Sequence, residues 1–154
     1  MSPPPFQRFL DHHRDDVWRY LVAAVGRDAA DDCFQETFLA ALRAYPRLRP
    51  ASDLRAWVLT IAHRKAMDHH RARRRAPVPV GAAPQTGAWQ DDAPGGEVWA
   101  RLAELPDKQR AVLLLRYAGD LTHAQVAAAL GGTEEAARRA AHDGLKKLRL
   151  ELTP

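Results

Sequence analysis

The chain of 154 residues contains one cysteine, Cys33. No disulfide can form within it, which fits a reducing compartment. Cys33 stands between Asp32 and Phe34, beside an apolar helical face, and reads as a small buried hydrophobe rather than a redox sensor. No apolar run approaches the ~18 residues of a membrane helix, and Met1–Pro5 is too short and too rich in proline for a signal peptide. A cytoplasmic protein without membrane insertion is the expectation. The HExxH pattern of a metalloprotease is also missing. The histidines come as adjacent pairs, His12–His13 and His69–His70, and neighbours on a helix point in different directions, unlike an i, i+4 pair. A small metal-dependent hydrolase would need clustered ligands that this spacing does not supply. Neither a catalytic residue, a metal nor another cofactor is expected.

What remains is a basic, mostly helical pattern. The net charge of +4 and a pI near 9.6 favour an anionic partner. The excess is uneven: residues 1–75 carry 14 lysines and arginines against 9 acids, while residues 76–96 carry 2 acids and no base. Residues 97–154 are nearly balanced, with 9 bases and 8 acids.

Helical periodicity begins early. Phe6, Phe9, Leu10, His13, Val17, Tyr20, Leu21 and Ala24 share one face, predicting a helix over 6–25 that Gly26 ends, with Arg27-Asp28 as a turn. Ala30, Phe34, Thr37, Phe38, Ala41 and Tyr45 then form the inner face of a second helix. Asp32, Gln35, Glu36 and Leu39 fall opposite. Such a face is either a protein-docking patch or simply solvated. Pro46 and Pro50 bracket a short polar loop, and Tyr45 should close the helix before it. Asp53, with Ser52, can cap the third helix, whose inner face carries Leu54, Trp57, Val58, Ile61 and Ala62. That helix turns basic at Arg64, Lys65, Arg71, Arg73, Arg74 and Arg75. Clustered bases at a helix end are an electrostatic footprint for nucleic acid, and they also suit a solvated helix end. Trp57 either packs in the core or stacks on an unpaired base.

Residues 76–96 show no periodicity and hold Pro77, Pro79, Pro84 and Pro94 with four glycines. They read as a flexible linker between two domains that move independently. Trp89, beside Asp91 and Asp92, is the odd residue there. Residues 97–154 are helical again. Thr122 caps a short helix through Leu130, Gly131-Gly132 turns the chain, and Thr133 caps a longer helix to about Leu150. A short helix, a glycine turn and a longer helix make a helix-turn-helix, whose second helix enters a major groove. The expected fold is therefore all-α, with two small helical domains, 1–75 and 97–154, joined by the linker 76–96.

The run Ala30, Gln35, Glu36 and Phe38, then Trp57, Ile61 and Ala62, then Asp68 before the arginines, resembles region 2 of bacterial RNA polymerase sigma factors of the extracytoplasmic-function group. Leu105-Pro106, Gln109-Arg110, Leu113 to Tyr117, Leu121, Ala127, Leu130-Gly131 and Leu148 resemble region 4 of the same family. The resemblance implies a sigma subunit that directs RNA polymerase core to promoters. Such a subunit would not itself be an enzyme. Polymerase core, through its beta-prime and beta subunits, and promoter DNA would be the partners, with an anti-sigma factor as a further partner of this family. Polymerase docking would fall on Asp31, Asp32, Gln35, Glu36 and Leu39. The melted −10 element would meet Arg49, Ser52, Asp53, Trp57, Arg64, Lys65 and Arg71. The −35 duplex would meet Thr133, Arg138, Arg139, His142 and Lys146. Pro50 stands where family loops usually have glycine. Ala136, Ala137, Ala140 and Ala141 stand where larger or basic residues are usual, which predicts weak base discrimination at −35. A stand-alone helix-turn-helix regulator is the alternative; it would have no use for Gln35, Glu36 and Phe38 paired with Trp57.

Overall fold

The computed structural model describes residues 4–49, 53–75 and 100–152. The expected linker with its Trp89, and the loop residues Pro50 and Ser52, lie outside the described residues. Among the described residues the chain is helical and has no strand. Helix α1 spans Phe6–Val25, α2 Arg27–Ala44 and α3 Leu54–Arg75, with a 3-10 turn at Tyr45–Arg47 after α2. In the second half α4 spans Asp107–Leu113 and runs into a π-helical turn at Leu114–Ala118. Helices α5, His123–Leu130, and α6, Glu134–Leu152, complete the fold.

The expected bounds of the first helix hold, Phe6 to Val25. Gly26 takes φ 81°, a left-handed value that costs glycine little. That single residue joins α1 to α2, so Arg27 and Asp28 begin α2 instead of forming a turn. Pro46 has no amide hydrogen to continue the α-helical ladder, and the chain tightens into the 3-10 turn at Tyr45.

Helices α1, α2 and α3 pack on one another around Phe9, Val17, Tyr20, Leu21, Val58 and Leu59, all sealed from solvent. Burying each such side chain contributes about 1.5–3 kcal/mol. Phe6, Phe9, Phe38, Tyr45 and Trp57 form one aromatic cluster, with ring centroids 5.2–6.3 Å apart in tilted and edge-on pairs. This cluster fixes the start of α1 against the start of α3, on either side of the loop.

In the second half α4 and α5 both pack on α6. Thr122 and Gln125 form a reciprocal capping box at the start of α5. The Ala136 amide donates to Thr133 Oγ1 at 3.0 Å, starting α6 as expected. Arg110 is buried and donates to the carbonyls of Ala103 and Leu105 at 3.1 and 3.3 Å, tying the segment before α4 to the helix.

The two halves touch. Helix α1 packs against the π turn and α3 against α5. Arg55 donates to the Gly119 carbonyl at 2.5 Å and the Asp120 carbonyl at 3.2 Å. Gln125 Nε2 donates to Asp53 Oδ2 at 2.5 Å. In this state the two domains of the expected fold are therefore in contact. Ala56 and Ile61 on α3 find their apolar complement in Ala128 and Ala129 of α5, with which they line one cavity.

Candidate functional site

Three surfaces gather the candidate residues. The first is the outer side of α2. Ala30, Cys33, Thr37, Phe38 and Ala41 are buried inward, and the 3.6-residue repeat turns Asp31, Asp32, Gln35, Glu36 and Leu39 into solvent. Leu39 is 52% exposed and Leu42 50%. The sequence reading missed Leu42; its three-residue step from Leu39 is the pattern that reveals it. Two leucines ringed by carboxylates and an amide form a small apolar patch with an acidic rim. Cys33 beneath it is buried, and its thiol is pushed up to about 11 by burial and by Glu36 and Asp32. It is therefore a protonated packing group at neutral pH.

The second surface is one face of α3. Asp53, Ala56, Trp57, Thr60, Ile61 and Arg64 recur at three- and four-residue steps and line a cavity of ≈380 Å³, closed on the far side by Gln125, Ala128 and Ala129 of α5. Asp53 caps α3 as expected: its Oδ1 accepts from the Ala56 amide at 3.1 Å. Trp57 is half-buried on the rings of Phe9 and Tyr45 at 5.7 and 6.3 Å, with one face on the cavity. Core packing and an available ring are thus both true of it. Arg49 and Arg64 are exposed and Lys65 is half-buried. Arg71 pairs with Asp68 and lies two turns beyond Arg64. There it faces a second cavity of ≈390 Å³ together with Arg74 and Lys108.

Two histidines of α3, His63 buried and His70 half-buried, tie it to α1. His63 Nδ1 and the Tyr20 hydroxyl are 2.6 Å apart. Burial, then Arg110 and Arg64, hold the His63 imidazole down near 4, so it is neutral at physiological pH. His70 lies 2.7 Å from the Ala24 carbonyl, so its Nε2 carries the proton; burial lowers it to about 4 as well. Among the described residues no group of three or more His, Cys, Asp or Glu could hold a metal ion.

The third surface is the outer side of α6. Thr133, Arg138, Arg139, His142 and Lys146 are all exposed, as are Glu134 and Glu135. Arg138 pairs with Glu134 at 2.6 Å. Ala137, Ala140 and Ala141 are buried. They form the inner face, so the premise that small residues occupy the groove-facing side is corrected. The signal lay in the sequence: positions 137, 140, 141, 144, 145 and 148 repeat with an inner-face period. Alanine there lets α6 lie close on α4 and α5, and the long polar side chains point outward.

No described helix is long and apolar enough to cross a membrane. A family model for Sigma-70 region 2 matches residues 9–76, and one for Sigma-70, region 4 matches residues 101–150. Among curated relatives, the ECF RNA polymerase sigma factor SigD of Mycobacterium tuberculosis is 37% identical over 162 residues, spanning 93% of this chain and 74% of the relative. The probable RNA polymerase sigma-C factor of Mycobacterium bovis is 36% identical over 131 residues, spanning 81% and 71%. SigL of M. tuberculosis is 34% identical over 157 residues, spanning 92% and 85%. Two solved structures share the fold. CnrH, in complex with the cytosolic domain of CnrY, has a TM-score of 0.72 at 22% identity, covering 96% of this chain and 86% of that one. The sigma factor RpoE of Bartonella quintana, in complex with the anti-sigma factor NepR, has a TM-score of 0.71 at 18% identity, covering 97% and 98%. A match to region 2 ahead of region 4 sets aside the stand-alone helix-turn-helix reading.

Proposed function

Since the chain belongs to the extracytoplasmic-function group of RNA polymerase sigma factors and directs the polymerase to promoters, we propose how its surfaces divide that work. The α2 patch of Asp31, Asp32, Gln35, Glu36, Leu39 and Leu42 docks on polymerase core. The α3 face of Asp53, Trp57 and Arg64, with Arg49, Ser52, Lys65 and Arg71 around it, receives the melted −10 strand. Thr133, Arg138, Arg139, His142 and Lys146 of α6 meet the −35 duplex. The domain division is 1–75 and 97–154 with a linker at 76–96. The chain acts in the cytoplasm as a specificity subunit and catalyses nothing itself. An anti-sigma factor, of the kind that RpoE of B. quintana binds, is its regulatory partner.

One observation carries this assignment. In each of α2, α3 and α6, candidate polar residues share one outward face while the residues between them pack inward. The α2 face offers carboxylates with leucines, the α3 face bases beside an aromatic, and the α6 face three bases and an imidazole following the two glutamates of its first turn. The first suits a protein. The second suits an unpaired strand, through stacking and phosphate contact. The third suits a duplex groove.

The experiment is transcription by core polymerase on fragmented genomic DNA, with and without this chain, followed by sequencing of the RNA 5′ ends. New start sites sharing one −35 and one −10 element are expected. Start sites with no shared upstream sequence would refute the assignment.

A further inference from the structure

The cavity of ≈390 Å³ shares only Arg71 and Thr133 with the three surfaces assigned to polymerase and promoter. Its volume lies within the range of small-molecule sites, about 300–1,000 Å³. Helix α3 supplies one wall through His63, Met67, Arg71 and Arg74, which follow one another at three- and four-residue steps on one face. Helices α4 and α5, the turn Gly131-Gly132-Thr133 and the start of α6 supply the rest.

The lining is of two kinds. Met67 and Leu130, with the buried Val112 and Val126 beneath them, make it apolar. Leu130 is left 37% exposed there, a large apolar side chain without a cover. Four cations stand around this apolar part, Arg71, Arg74, Lys108 and Arg110, against one lining carboxylate, Asp107. Arg71 is engaged by Asp68. Among the described residues Arg74 and Lys108 have no ion pair, and both are exposed.

Arg110 makes the cavity more than a basic rim. Its side chain is 9% exposed. The two Nη groups donate to the Ala103 and Leu105 carbonyls and to Asp107, while Nε is buried without a hydrogen-bond partner. The carboxylate of Asp107 is 92% exposed, so water screens it. Arg110 is thus a buried cation without a buried counter-charge, an arrangement that is costly in isolation. Its field reaches His63 on the facing wall, where after burial it is the next cause that holds the imidazole down. An anion in the cavity supplies what Arg110 lacks. A bare phosphate or a nucleic acid backbone has nothing to lay on Met67 and Leu130, whereas an anion carrying an apolar chain does.

We propose that this cavity binds a small amphipathic anion, a carboxylate or phosphate monoester on an apolar chain. The head group lies among Arg74, Lys108 and Arg110, and the chain lies on Met67, Val112, Val126 and Leu130. Such a ligand touches both halves of the folded chain and stabilises it by mass action. The site is independent of how polymerase and promoter are held.

Octyl phosphate is the probe, titrated calorimetrically into the full-length chain without polymerase. One molecule should bind per chain, and the thermal unfolding midpoint should rise with its concentration. Each buried methylene is worth about fourfold in affinity, so butyl phosphate should bind on the order of a hundredfold more weakly. Octanol and inorganic phosphate, each holding half of the ligand's chemistry, should bind too weakly to measure. Octanoate binding more tightly than octyl phosphate supports the site with a carboxylate as its head group. The double variant Arg74→Ala with Lys108→Ala, both on exposed positions, should bind octyl phosphate about tenfold more weakly with unchanged circular dichroism. Arg27→Ala, in the groove formed with Trp18, Arg19, Val22 and Ala23, should bind as the wild type does. No saturable binding of either octyl anion overturns the proposal. Octanol or inorganic phosphate binding as tightly as octyl phosphate overturns it too. So does an affinity that is unchanged in the double variant, or one lost in Arg27→Ala, which would put the probe on the α1 groove.

Discussion

Acidification should loosen this protein through His63. The imidazole sits behind α3, 7% exposed, against the Tyr20 hydroxyl and near Arg110 and Arg64. Its folded value of about 4 lies below the ordinary 6.5. The unfolded chain therefore takes up the proton first, and stability falls as pH drops through the interval between the two values. Above pH 6.5 both states are neutral and the group contributes no slope. Each pH unit below that costs about 1.4 kcal/mol, so the loss is about 2 kcal/mol at pH 5 and about 3 kcal/mol near pH 4. Urea unfolding followed by circular dichroism, at half-unit steps from pH 7.5 to 4, measures it. Carboxylates add their own acid dependence, so the comparison is with His63→Gln, which keeps a hydrogen-bonding group beside Tyr20 but does not titrate. The variant should lose about 1.4 kcal/mol per pH unit of slope between pH 6 and 4.5. Identical slopes in the two proteins would refute the burial argument, and a steeper slope in the variant would reverse its sign.

Trp57→Ala and Arg64→Ala should each weaken binding of the −10 non-template strand to the polymerase complex, the tryptophan by about 1–3 kcal/mol. Trp57→Phe should recover most of that loss, because a ring remains beside Phe9 and Tyr45; equal binding by all three variants would remove Trp57 from the site. At −35, Arg139→Ala should abolish discrimination at one base pair, worth about 1–3 kcal/mol. Lys146→Ala should lower affinity for all sequences alike, and a matched series of substituted duplexes at fixed salt separates the two patterns. Gly144→Val should destabilise the second half by about 1–3 kcal/mol in thermal unfolding. Even a Cβ there comes within 2.8 Å of Leu113 Cδ1 and 3.4 Å of Gln109 Cβ; an unchanged melting temperature would show that Leu113 can turn aside.

Much of this was legible because helical faces repeat. The bounds of α1 follow from Pro5 and Gly26, and the acidic side of α2 follows from the phase of Ala30, Thr37, Phe38 and Ala41. The caps at Asp53, Thr122 and Thr133 were readable from residue type alone. Three features were not. The π turn inserts an extra residue into the helical repeat, which swings Tyr117 out to 61% exposure although periodicity places it inward. Small residues on a recognition helix look like missing groove contacts, whereas Ala137, Ala140 and Ala141 of α6 are its close-packed face. The contact between halves left no trace in any local pattern. Gln125 and Asp53 are 72 residues apart, and a pair at that separation has no periodicity to betray it. Arg55 stands in the first turn of α3, outside the basic run, and only its position opposite two helix-end carbonyls gives it a role.

The most direct test of the central claim, that this chain works by docking its α2 face on RNA polymerase, is co-elution with purified core polymerase on a sizing column. The wild-type chain should shift wholly into the polymerase peak at micromolar concentration. Asp32→Arg and Glu36→Lys, on exposed positions away from the core, should remain in the free fraction while their helical circular dichroism is unchanged. Both variants shifting with polymerase as the wild type does would contradict the account.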